Sequence, residues 1–361
     1  MTDAERSALK PEYKNYITIL AIMAAVGIVM AHCNGATFNQ QPHTSWEWKS
    51  SLFLYSLVKC CRPIFFMISG ATLFEYRRRY GTAHFMKRRF VRTFIPWVFW
   101  CLVTMCGIFG YAWLHGEHVG LDAQDVFFGI VNNRFNGSYW FMVPLFAIYL
   151  SMPLLNLMER RWRLLRCMIL YAFISYSILP YVSTFLREDI NPEIYSPVGG
   201  GYLLYAMLGY YIMKVDFTRT QRYVTYALGI IGWGFIYFGT LWTTPAQGTY
   251  ETINLTYLEA LNFPNVLYAV AVFMLFKHIN FDCLFRGRSR KVVLSLRAST
   301  FGIYLTQTLV IKPLKDLSVG VLGWSYDTLS WRLTATVVVF LLCWGLVQAL
   351  KRVPVLRYTV P

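Results

Sequence analysis

Long apolar runs alternate with short polar segments along this chain. Ten runs are long enough to be read as membrane spans, at residues 16–34, 52–74, 94–114, 139–157, 164–185, 197–213, 223–242, 258–276, 294–311 and 333–350. A spanning helix needs about 20 mostly apolar residues, because lipid offers the backbone no hydrogen-bond partners. The pattern predicts an all-α polytopic membrane helix bundle of about ten transmembrane helices. The sixth run is the weakest. Its Gly199-Gly200-Gly201 entry and short apolar core predict a tilted or broken helix.

The polar segments fix the orientation. With the N-terminus cytoplasmic, 26 of the 34 basic residues fall on inner segments, which the positive-inside rule requires. Both termini are then cytoplasmic, with residues 1–15 and 351–361 as tails around a 16–350 bundle, all one domain over 1–361. The first apolar run has no cleavage pattern after it and reads as an uncleaved anchor. His32, His43, His115 and His118 lie at or beyond the outer face, and His84 and His278 on the inner side.

Composition agrees with a membrane location. The chain is 56% hydrophobic and only 14% charged, outside the range of ordinary soluble domains. Its net charge of +16 would suggest nucleic acid in a soluble protein, but the positive residues belong to the inner loops, so no nucleic-acid partner is expected. The eight cysteines form no CxxC pair and read as small core residues, with no metal site and no disulfide framework. The outer segment 121–131, LDAQDVFFGIV, reads as a short amphipathic piece at the surface or in the mouth of a cavity.

Three polar features sit where lipid should exclude them. His32 closes the first span, and a titratable group there either marks a site facing a polar interior or sits at the interface hydrogen-bonded to a loop. Lys59 and Arg62, three apart in the second span, share one helical face and could present a positive patch to an anionic or polar group, unless one of them snorkels to the outer interface. Pro63 frees a backbone carbonyl beside them and predicts a kink. The inner segment EYRRRYGTAHFMKRRFVRTFIP is the most basic of the chain. Most of its charges serve as a lipid-facing anchor, while Arg89 and Arg92 suit the phosphates of a cytosolic donor. Trp140 and Tyr139, at the outer end of the fourth run, suit stacking on a ligand ring, although an aromatic belt at the membrane interface is the commoner reason for such residues.

These segments together resemble the integral membrane acyltransferases of family three, which include bacterial O-acetyltransferases of surface polysaccharides. The first helix ends in VMAH. The second carries KCCRPIFFMISGATLF, with Lys59 four residues before a proline. FMKRRFVRTFIPWVFW resembles the basic entry of the third helix, SYWFMVPLFAIYLSMPLL the Trp-Phe helix ending in proline, and YAMLGYYI and FGIYLTQTLVI two later helices. There are two departures. Ala21 stands where members usually carry an arginine eleven residues before the histidine, about 16 Å deeper at 1.5 Å per residue. Gln307 stands where many carry a second histidine.

The resemblance implies an O-acyltransferase of the cell (inner) membrane, moving an acyl, expected acetyl, group from cytosolic acyl-CoA to an extracytoplasmic glycan or glycolipid hydroxyl. It binds no resident cofactor; acyl-CoA is the co-substrate. His32 then acts as base or acyl carrier, Lys59 or Arg62 stabilises the oxyanion, Trp140 and Gln307 meet the acceptor, and Arg89 and Arg92 hold the donor. Membrane lipids are partners, and oligomers are compatible with the sequence. A polar channel would join the two sides. The rival readings are a transporter of glycan or lipid-linked intermediates, favoured by Ala21 and Gln307, and a catalytically degenerate member.

Overall fold

The computed structural model describes residues 15–116, 120, 122–191, 194, 201–246 and 250–361. The basic residues Arg6, Lys10 and Lys14, together with His118, Leu121, Glu193 and the start of the sixth run through Gly200, lie outside the described residues.

Among the described residues the chain is helical throughout and contains no strand. Its helices are α1 (Asn15–Gln40), α2 (Trp46–Val58), α3 (Cys61–Leu73), α4 (Thr82–Arg89), α5 (Ile95–Leu114), α6 (Ala123–Val131), α7 (Met142–Leu155), α8 (Trp162–Phe173), α9 (Leu179–Leu186), α10 (Leu203–Lys214), α11 (Arg219–Gly234), α12 (Thr240–Thr243), α13 (Phe263–His278), α14 (Gly287–Gly320) and α15 (Leu329–Arg352). Eight helical stretches are long and apolar enough to cross a membrane, and they coincide with eight of the ten predicted runs. The sixth run supplies only the short α10 among the described residues. The ninth lies within α14, whose 34 residues carry polar ends.

Helix α1 is the hub, packed by α2, α3, α13, α14 and α15. Small residues on its buried side, Ala21, Ala24, Ala25 and Gly27, allow these neighbours to approach. The closest crossing joins α3 to α10. A Cβ on Gly70 would stand 1.9 Å from the Ala206 carbonyl oxygen, and one on Gly209 would stand 2.0 Å from that of Met67. Glycine is therefore required at both places, since the obstacle is backbone that cannot turn aside.

Prolines set the irregular turns that shape the site. The second span breaks between α2 and α3, because Pro63 has no N–H to offer the Lys59 carbonyl. The third widens into a π-turn over Phe90–Phe94 just before Pro96, where the Ile95 N–H bonds to the Phe90 carbonyl. Pro180 is preceded by a similar π-turn, Ile174–Ile178. Wide turns of this kind cluster at functional sites.

Several expectations change in detail. Cys33, Cys60, Cys61, Cys101 and Cys343 are buried, but Cys106, Cys167 and Cys283 are exposed, and all eight thiols are free. The amphipathic segment forms α6, capped by Asp122. The segment after α15, expected as a tail, folds back on the bundle: Val360 is buried, and the Thr359 carbonyl accepts a 2.9 Å hydrogen bond from the Trp100 indole.

Candidate active site

Two cavities line up along α1. The inner one, about 720 Å³, begins at Ile28 and extends toward the end of the bundle that the positive-inside rule assigns to the cytoplasm. The outer one, about 450 Å³, begins at Ala31 and His32 and extends the other way. Ile28 and His32 are one turn apart, about 6 Å along the axis. The cavities share no lining residue. In place of the expected continuous channel, an apolar and aromatic layer that includes Ile28, Phe65, Phe141 and Tyr304 closes the inner cavity toward His32. Within it the Phe141 ring packs edge-on against Phe65 and Tyr304, with centroids 6.3 and 5.8 Å away.

The inner cavity is strongly positive. Arg79, Arg88, Arg89, Arg92, Arg297 and Lys351 line it, and no aspartate or glutamate does. Arg89 is held between rings, its guanidinium carbon 5.8 Å from the Phe85 centroid and 5.6 Å from that of Tyr149. Its buried Nε has no hydrogen-bond partner. Arg92 sits on the π-turn, which carries it to the same cavity as Arg89. Thr72, Thr93 and Thr300 add hydroxyls to the wall. Guanidinium forks and hydroxyls, with neither aspartate nor glutamate among them, suit a polyanion.

The arginine loop is pinned at its base. Lys214 donates to Glu75 Oε2 at 2.8 Å, Tyr210 donates to Glu75 Oε1 at 3.0 Å, and Arg78 pairs with Glu159. Asn156 donates at 2.8 Å to the Phe74 carbonyl.

The outer cavity gathers His32, Lys59, Arg62 and Trp140, four of the predicted residues. The Lys59 ammonium lies 4.8 Å from the Tyr55 ring centroid, and the Arg62 guanidinium stands 5.4 Å over the Trp140 ring. Trp140 is presented by a short turn, Gly137–Phe141, that two tyrosines fasten to α14. Tyr139 donates to the Leu305 carbonyl and Tyr304 to the Ser138 carbonyl, both at 2.6 Å. Tyr139 is thus a buried fastener and lines neither cavity, unlike the stacking role read from its sequence position.

Gln307 is also placed differently. It is fully buried, donates at 3.2 Å to the Tyr304 carbonyl and lines neither cavity. It adjoins the imidazole of His32 from the packed side. Nδ1 of His32 and Oε1 of Gln307 both lack a hydrogen-bond partner. Such neighbouring orphans suit a group that orients the imidazole better than one that touches an acceptor.

The outer end of α1 is anchored by Arg332, which is 1% exposed. It donates to Asn34 Oδ1 at 2.9 Å and to Ser50 Oγ at 2.7 Å, tying α15 to α1 and α2 two residues beyond His32. Ala21 is buried in the core and lines neither cavity, and the inner cavity takes its cations from the turn at Arg79, α4, the π-turn, α14 and α15 instead. Of the described histidines only His32 lines a cavity. His43 is a packing residue, with Nδ1 2.8 Å from the Pro245 carbonyl and its ring against Trp48.

Sequence reasoning missed Tyr55, Tyr202 and Glu259 in the outer cavity, and Arg79, Arg88, Arg297 and Lys351 in the inner one. Arg297 carries a legible signal, a cation at the start of an apolar helix and beside Ser299 and Thr300. Glu259 carries none, because its loop position gives no hint of what it faces.

A helical membrane protein with a cationic cavity backing onto a histidine-bearing one is built for group transfer or exchange between two sides. A family model described as an acyltransferase domain matches residues 14–348, and the chain belongs to this family, the membrane acyltransferases of family three. Comparison with curated proteins and with solved structures gives no match.

Proposed function

We infer that this acyltransferase is an O-acyltransferase of the cell (inner) membrane that takes an acetyl group from cytosolic acetyl-CoA and delivers it to a hydroxyl of an extracytoplasmic glycan or glycolipid. The observation that carries this reading is the back-to-back pair of cavities, with six cations on one side and His32 facing aromatic rings on the other. The phosphates of the donor bind at Arg89 and Arg92, and its thioester end points at the layer below His32.

The acceptor oxygen attacks the thioester carbonyl as His32 takes its proton. Lys59 or Arg62 stabilises the tetrahedral oxyanion, and collapse expels the CoA thiolate, which leaves as the thiol once protonated. Gln307 supports the step if its unpartnered Oε1 closes onto Nδ1–H, which leaves Nε2 as the base. Local opening of the Phe65 and Phe141 layer is required for the thioester to reach the ring.

That closed layer also favours a second reading, a transporter of glycan or lipid-linked intermediates that opens to each side in turn. Purified protein given acetyl-labelled CoA distinguishes the two. The enzyme releases label as acetate or passes it to added glycan; a transporter leaves the thioester intact, and that result would exclude the enzyme reading.

A further inference from the structure

The outer cavity holds more positive charge than one acyl transfer consumes. Lys59 and Arg62 both line it, and among the described residues neither forms an ion pair. Their head groups lie against ring faces, Lys59 on Tyr55 and Arg62 on Trp140, with the Tyr55 hydroxyl beside both. The one carboxylate that lines the cavity, Glu259, is an exposed residue at its mouth. Cations within a span are costly unless something polar or anionic meets them.

The tetrahedral oxyanion carries a single charge, and only for the lifetime of the transition state. One cation suffices for it. For the second, only the exposed Glu259 offers a counter-charge in the cavity, and a neutral sugar brings none.

We propose that the acceptor brings its own negative charge: it is an acidic sugar, bearing a carboxylate or phosphate that sits on Lys59 and Arg62 while its ring lies against Trp140. This deepens the acyltransferase reading and rests on the outer cavity being the acceptor site. The bidentate fork of Arg62 fits a planar carboxylate or a phosphate edge, and Lys59 adds a mobile donor. Glu259 at the mouth accepts from hydroxyls of the same sugar. A neutral sugar offers the two cations only hydroxyl acceptors, weaker partners than a carboxylate or phosphate, so the site discriminates by charge. The cavity of about 450 Å³ is at the small end of ligand sites, which keeps the anionic group and the reacting hydroxyl close together.

The test uses the full chain in nanodiscs of zwitterionic lipid, with binding read from tryptophan fluorescence and no acyl donor present. Methyl glucuronide and glucose 6-phosphate are compared with methyl glucoside. The acidic sugars are expected to bind about tenfold more tightly or better, the scale of a charge-assisted contact. Lys59→Met and Arg62→Met each reduce that preference, and Lys59→Arg preserves it. Equal binding of acidic and neutral sugars by the parent protein overturns the proposal without recourse to any variant. So does a preference that survives both methionine substitutions. Native mass spectrometry that finds an anionic phospholipid held by the parent, lost in Lys59→Met and not displaced by glucuronide, also overturns it, since the pair then serves a lipid head group. Labelled acetyl-CoA run on the same preparation separates the two claims: acidic preference without acetyl turnover sinks only the enzyme reading, and turnover onto neutral sugar without acidic preference sinks only this one.

Discussion

Substitution of His32 by alanine is expected to lower acetyl transfer roughly 10²–10⁴-fold, the usual contribution of a positioned general base. The change should appear in kcat, with the KM for acetyl-CoA nearly unmoved, because the imidazole lines the outer cavity and the inner one is the proposed donor site. Folding is not the cause of the loss. Helix α1 keeps its buried contacts and its tie from Arg332 to Asn34, so the variant should elute as the parent does on size exclusion. Transfer at the parental rate would remove His32 from the chemistry.

Arg89→Met and Arg92→Met are each expected to act on the other parameter. A charge-assisted contact to phosphate is worth about 1.5–3 kcal/mol, which corresponds to a rise of roughly 10–100-fold in the KM for acetyl-CoA, with kcat changed little. Acetyl-pantetheine has no nucleotide phosphates and should be used equally well by parent and variants. Lysine should rescue only in part, because an ammonium cannot reproduce the two-pronged contact. Unchanged KM in both variants would mean that the donor phosphates bind elsewhere in the ring of cations.

The contrast between these variants follows from features that the sequence carried unevenly. Apolar runs announced the helices, since lipid punishes unpaired backbone so heavily that spans are written in hydropathy alone. His32, Lys59 and Arg62 were legible because each is a polar group where lipid should have excluded it, Trp140 because it is an aromatic at the outer end of its run, and the bundle brings all four to one cavity. Tyr139 and Gln307 were misplaced because a span tells which residues enter the membrane and not which way each points. Tyr139 turns inward to the Leu305 carbonyl, and Gln307 backs the imidazole from the packed side. The inner cavity was only half legible. Arg89 and Arg92 stood out by spacing, but Arg297 and Lys351 come from α14 and α15, far along the chain, and only tertiary packing sets them opposite. The interruption of the expected channel by Phe65 and Phe141 was hidden for a similar reason. An aromatic residue in an apolar run looks alike whether it faces lipid, core or the floor of a cavity.

The account rests on one arrangement, a donor that enters from the arginine side and ends beneath His32. Its most direct test is an experimental structure of the full chain with a non-hydrolysable acetyl-CoA analogue. The predicted result is phosphate density within hydrogen-bonding distance of Arg89 and Arg92, with the thioester mimic running toward Ile28 and Tyr304. An empty arginine cavity, or an analogue seated beside Lys59 in the outer cavity, would contradict it.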